Sequence, residues 1–222
     1  MVIRHNITPR QLFPILWFCL ATWGFLEIAG EVQEGKVHAF DLLILQACRV
    51  DGHATQLIGP IWFHEAMRDI TALGSPAVLV LTVLAVWGYL LMAKQRTMAW
   101  LAVLSSTTGW AASWALKSLF LRARPDLAYQ ATVASGYSFP SGHAMMSAVV
   151  FLTLAALVAR LTPRTTLRLY ALSAAGALTG LVGLSRIYLG VHWASDVAAG
   201  WAAGAAWATL CWLVADMAFA RK

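Results

Sequence analysis

Six stretches of this chain, about 12–29, 77–93, 98–120, 143–161, 167–185 and 192–215, stay apolar over the roughly 17–25 residues that a helix needs to cross a bilayer. Few folds tolerate such runs. Of 222 residues, 60% are hydrophobic and 12% charged, against about 45–50% and about 25% in soluble domains. No Pro/Ser/Gly-rich linker or shift in composition divides the chain. The expectation is a single integral-membrane domain over residues 1–222, an all-α polytopic protein with six transmembrane helices.

The connections fit that frame. "KQRT" (94–97) and "RLTPRTTLR" (160–168) are turns, and Pro76 and Pro163 sit where a helix start loses little by a missing N–H. The stretch 68–75, "RDITALGS", reads as a helix-start turn at Gly74-Ser75-Pro76. The first loop, about 30–76, is too long for a turn. Its segments "HAFDLLILQAC" and "HATQLIGPIWFHEAMRDI" space apolar residues helically, which predicts one or two helices lying along the interface. They serve either as a cap on the bundle or as a lipid-facing lid. Arg4 and Arg10 ahead of the run from Leu12 to Ala29 imitate a signal peptide, but no small-x-small cleavage site follows, so a retained first helix is expected.

Lysine and arginine set the orientation. With the N-terminus cytoplasmic, that face collects Arg4, Arg10, Lys94, Arg96, Arg160, Arg164, Arg168, Arg221 and Lys222. The other face receives Lys36, Arg49, Arg68, Lys117, Arg122, Arg124 and Arg186, offset by acids along the first loop. Both termini are therefore expected in the cytoplasm, with the opposite face periplasmic or exterior. The net charge of +6 is spread between apolar runs rather than gathered into a patch, which argues against a nucleic-acid partner. Three scattered cysteines build no disulfide framework.

Three polar stretches interrupt the apolar pattern, and helix alternation sends all three to the extracytoplasmic face. "KSLFLRARP" carries Lys117 and Arg124; "YSFPSGHA" carries Ser141, Gly142 and His143; "SRIYLGVHWASD" carries Arg186, His192 and Asp196. Lys117, Arg124 and Arg186 would repel one another without an anion, and a phosphate dianion suits arginine forks and a lysine point charge. Ser141 and Gly142 open a helix, whose free N–H groups and dipole favour the same anion. His192 and Asp196, four apart, share a helix face, so the carboxylate can fix one ring nitrogen and leave the other as a nucleophile. His143 arrives from another helix with a proton to donate. Taken singly, each of these side chains is at home as a snorkelling or helix-end residue. Six ionisable groups at one depth, each costing about 2.5–3.5 kcal/mol to insert, need a common reason.

The motifs K-x6-R-P (117–125), P-S-G-H (140–143) and S-R-x5-H-x3-D (185–196) together resemble the three-part signature of the type-2 phosphatidic acid phosphatase superfamily. Order and spacing match across 117–196. The resemblance implies a membrane lipid phosphatase with His192 as the nucleophile forming a phosphohistidine, Asp196 as its partner and His143 as the acid for the leaving alkoxide. It implies Lys117, Arg124, Ser141, Gly142 and Arg186 as the phosphate-binding set, with no metal and no cofactor. The substrate would be a lipid phosphate, monoester or pyrophosphate, held from the bilayer of a bacterial inner membrane. A phosphotransferase of the same fold, or a small anion transporter, are the alternatives; a transporter would carry internal repeats, and none is evident. Arg122, outside the motif, is expected to snorkel. His38, His53 and His64 lack ligand spacing and are assigned no metal.

Overall fold

The computed structural model describes residues 9–219, with side chains from 12 to 217. Arg4, Arg221 and Lys222 lie outside the described residues, as does the side chain of Arg10. In a bilayer the backbone must satisfy its own hydrogen bonds, so apolar runs of this length become helices. All six do: α1 (Pro9–Gln33), α4 (Pro76–Met92), α5 (Arg96–Phe120), α6 (Gly142–Leu161), α7 (Thr165–Tyr188) and α8 (Ala194–Phe219). The long first loop supplies α2 (His38–Ala47) and α3 (Ile61–Ala72).

By length and apolarity, four of these helices can cross a membrane: α1, α6, α7 and α8. The pair α3 and α4, bent by 51° at a short break, makes a fifth candidate. The sixth, α5, is 25 residues long but dilutes its apolar character with Ser105, Ser106, Thr107, Thr108 and Ser113. Those hydroxyls are largely neutralised in place. Ser106, Thr107 and Thr108 donate to carbonyls one turn back, and Ser105 meets Thr153 of α6 at 3.0 Å.

The all-α expectation needs one correction. Arg49–Val50 (β1) and His53–Leu57 (β2) form a two-stranded antiparallel hairpin inside the first loop. Gly52, at φ +75°, provides the turn, and a left-handed residue after Asp51 is what a tight hairpin needs. "HATQL", read as part of a helix, is its second strand.

Helix α6 is the axis of the bundle, packed extensively on α7 and α8, while α1 lies along α8. Small residues bring α8 and α6 together: a Cβ on Gly200 would stand 2.8 Å from the Ser141 carbonyl oxygen and 3.0 Å from Ala144 Cβ. Ser75 caps α4 by accepting from the Val78 N–H, with Pro76 at the first helical position. Leu79 and Val83 of α4 then close on Met146, Val149 and Val150 of α6. This packing fixes the C-terminal ends of α5 and α7 and the N-terminal ends of α6 and α8 around one polar centre.

Candidate active site

The centre forms at the end of the bundle where these four helix termini meet. Ser141 lies just before α6, and the Ser141 N–H donates to the Asp196 backbone carbonyl at 2.9 Å. That bond ties the P-S-G-H turn to the start of α8. It also corrects an expectation, since this amide is already engaged; the donors left without a protein acceptor here are the Ser141 hydroxyl and the amides of the first turn of α6.

His192 does not sit on the helix face expected for it. Helix α8 begins two residues later, at Ala194, and His192 occupies the preceding turn, 1% exposed. The i,i+4 contact survives, because the turn folds Nδ1 of His192 to 3.4 Å from Oδ2 of Asp196. The opposite nitrogen, Nε2, lies 3.1 Å from Nη1 of Arg124. A guanidinium only donates, so Nε2 must hold the lone pair and Nδ1 the proton. Burial pushes the His192 imidazole down to about 4, with Asp196 opposing the shift. The ring is therefore neutral at physiological pH.

Asp196 is held from all sides. Its Oδ2 accepts from the Ser138 hydroxyl and from the Trp193 N–H at 2.9 Å, and its Oδ1 accepts from Arg122 at 2.6 Å. Arg122 thus departs from the expected snorkelling side chain: half-buried, it bridges the buried carboxylates of Asp196 and Asp41, the latter at 2.7 Å. Ser138, Arg122, Asp41 and Ser195 are site neighbours that the motif spacing did not reveal.

The three remaining cations frame the space in front of His192. Arg124 donates to the carbonyls of Val191, Ser135 and Gly136, and burial holds its guanidinium below the usual arginine range. Lys117 donates to the Tyr137 carbonyl at 2.8 Å. Arg186, expected just beyond its helix, lies within the last turn of α7, 5% exposed, and donates to Thr71 of α3 at 3.0 Å. His143 is within electrostatic reach of Arg186, His192, Arg124 and Lys117. Two buried polar atoms here have no protein partner, Arg186 Nε and Ser141 Oγ. Buried donors without partners are costly, and an oxyanion bound in this centre would supply acceptors for donors of this kind.

Beside this centre lies a cavity of about 220 Å³ lined by Pro76, Trp110, Ser113, Trp114, Lys117 and His143, among others. It is polar at the Lys117–His143 end and aromatic toward the outer face of α5. Among the described residues no three His, Cys, Asp or Glu side chains gather as metal ligands. The arrangement brings a neutral imidazole with a lone pair at Nε2, a second imidazole and a cluster of cations to one small volume, a set of groups compatible with phosphoryl transfer.

A bundle of apolar helices with such a centre defines a membrane enzyme that handles phosphate. Residues 97–220 match the PAP2 superfamily. The chain is similar to phosphatidylglycerophosphatase B of Bacillus subtilis (strain 168), 31% identical over 183 residues that cover 81% of this chain and 85% of that one. It is also similar to the crystal structure of a transmembrane PAP2-type phosphatidylglycerolphosphate phosphatase from Bacillus subtilis, with a TM-score of 0.80 and 29% identity over 92% of this chain and 96% of that one. A third likeness, to Aquifex aeolicus LpxE, has a TM-score of 0.57 at 18% identity, covering 79% of this chain and 94% of the other; it speaks for the fold alone. The chain belongs to the PAP2 superfamily. It is a membrane-type member and a hydrolase acting on lipid phosphate.

Proposed function

We propose that the chain hydrolyses the phosphomonoester of a membrane lipid in two displacements at His192. In the first, Nε2 gives up its hydrogen bond from Arg124 and attacks phosphorus, the bond to the lipid oxygen breaks, and the leaving alkoxide takes a proton from the His143 imidazolium. Asp196 accepts the Nδ1–H bond and balances the charge that develops on the ring. In the second, water gives a proton to His143 and attacks the phosphohistidine, and the electron pair of the P–N bond returns to Nε2. Lys117, Arg124 and Arg186, with the Ser141 hydroxyl and the amides at Gly142 and His143, stabilise the phosphoryl oxygens throughout.

The observation that carries this reading is the pair of contacts on His192, an acceptor at Nδ1 and an obligate donor at Nε2. A lone pair aimed into a cluster of cations is what an in-line attack on a phosphate requires. By analogy with the Bacillus subtilis relative, phosphatidylglycerophosphate is the substrate of choice. Residues 1–222 act as one domain. It crosses the inner membrane six times, with both termini cytoplasmic and the site on the extracytoplasmic face, reached from the outer leaflet.

Phosphate release from phosphatidylglycerophosphate by the purified chain, beside His192→Ala, is the test. Wild-type protein should release phosphate and trap an acid-labile, base-stable phosphoryl group, and the variant should do neither. Release that persists in His192→Ala would refute the nucleophile. A cysteine introduced near Arg122 that reacts only from the cytoplasmic side would refute the orientation.

A further inference from the structure

Behind His192 and Asp196 the buried charges alternate in sign and reach a part of the chain far from the motifs. Asp41, on the first-loop helix α2, is fully buried. Its Oδ1 accepts from the Ser195 N–H at 2.8 Å, and its Oδ2 accepts from the Ser195 hydroxyl at 2.5 Å and from Arg122 Nη2 at 2.7 Å. The other arm of the guanidinium, Nη1, donates to the Ser195 hydroxyl at 2.8 Å and to Asp196 Oδ1 at 2.6 Å. The centre of the Trp193 ring lies 5.6 Å from the guanidinium carbon, and His38 makes an edge-type contact with the same indole.

The backbone is bent to make this possible. Helix α5 ends at Leu121, whose φ of 49° puts a branched side chain in the left-handed region. Few residues other than glycine or asparagine adopt it, and it persists where the surroundings demand it. The next residue is Arg122, turned back toward α8, with its carbonyl accepting from the Ser138 N–H at 2.8 Å. Ser138 in turn donates to Asp196.

We infer that Arg122 and Asp41 are positioning residues for the nucleophile, holding the Asp196 carboxylate aimed at Nδ1 of His192 and making α2 part of the catalytic apparatus. Arg122 spends both arms of its fork on two carboxylates, facing away from the cations that gather at His192. By occupying Oδ1 of Asp196 it keeps the shared proton on the imidazole, and Asp41 fixes the plane in which it does so. The first-loop helix is then neither a passive cap nor a lid, because its one buried carboxylate sets the geometry of the dyad. The inference rests on the reading of His192 as nucleophile and Asp196 as its partner.

The test measures kcat and KM for phosphatidylglycerophosphate in detergent micelles with Asp41→Asn, Arg122→Lys and the double variant Asp41→Asn/Arg122→Gln, which removes both charges together. Kcat should fall about tenfold or more in the double variant, the scale for groups that orient a reacting side chain from one step back. KM should stay within about twofold, since no contact to substrate is lost, and Arg122→Lys should recover part of kcat. Wild-type kcat in a folded double variant would overturn the inference. So would a raised KM at unchanged kcat, which would make Arg122 a head-group contact. Should the double variant not fold, Asp41→Asn and Arg122→Lys decide by the same two readings. His192→Ala runs in parallel: activity surviving there defeats the nucleophile reading, whereas an inactive His192→Ala beside an unaffected Arg122 series defeats only this inference.

Discussion

Nη1 of Arg124 lies 3.1 Å from Nε2 of His192, so a guanidinium and the imidazole lone pair occupy the same small space. The same nitrogen also donates to the Val191 carbonyl at 2.7 Å. One guanidinium is thereby tied to the backbone carbonyls of Val191, Ser135 and Gly136 while it touches the His192 ring.

Arg124→Lys should therefore keep the charge and lose the enzyme. A lysine cannot serve several carbonyls and the anion with a single point of donation. Losing one charge-assisted hydrogen bond, about 1.5–3 kcal/mol, should lower kcat/KM for phosphatidylglycerophosphate roughly 10- to 150-fold. The melting temperature in detergent should move little. Kcat/KM equal to wild type would show that charge alone suffices.

The buried imidazole of His192 gives a second expectation, in stability against pH. Burial lowers its folded-state value from 6.5 to about 4. As pH falls, the unfolded chain takes up the proton first and the folded chain resists it. The stability is complete above pH 6.5, declines between 6.5 and 4, and levels off below, by about 3 kcal/mol for a shift of this size. Unfolding midpoints across this range should show a steeper acid loss for wild type than for His192→Gln. Parallel curves would contradict the burial argument.

The six apolar runs were legible because a bilayer leaves such sequences a single backbone solution, and the helices α1 and α4 to α8 begin and end within a few residues of them. The hairpin was not, although Asp51-Gly52 is a turn signal, because the apolar spacing around it also satisfies a helical period. In the site, Lys117, Arg124, His143, Arg186, His192 and Asp196 were legible as charges out of place in apolar surroundings. Arg122 was misread because snorkelling is the usual fate of an arginine at a helix end, and only tertiary structure brings a buried carboxylate to it. Asp41 stands 154 residues from Ser195, to which it bonds. No local spacing marks such a partner.

Helix packing and the site share one dependence at Gly200. A Cβ there would lie 2.8 Å from the Ser141 carbonyl oxygen and 3.1 Å from the Met145 nitrogen, backbone atoms that cannot swing aside. Gly200→Ala must push α8 from α6, at about 1–3 kcal/mol for overpacking. It should also stretch the 2.9 Å bond from Ser141 N–H to the Asp196 carbonyl and so lower kcat. Gly176 of α7 has open space around it, so Gly176→Ala should be neutral or stabilising by up to about 1 kcal/mol. Melting temperatures and kcat for the two variants test the contrast; equal effects would sink it.

Trp114 should distinguish a lipid substrate from a soluble one. It lines the cavity beside Lys117 and His143 yet is 74% exposed on the outer face of α5, so Trp114→Ala costs the core little. A lipid chain already in hydrocarbon gains no hydrophobic free energy by moving against an apolar protein wall; what remains is close packing. That difference sets the scale at about 1 kcal/mol, or a roughly fivefold rise in KM for phosphatidylglycerophosphate. Para-nitrophenyl phosphate, which needs only the cation cluster and His192, should be hydrolysed by the variant as by wild type. An equal loss on both substrates would place Trp114 in support of the phosphate site itself, and no loss on either would remove the cavity from the lipid's path.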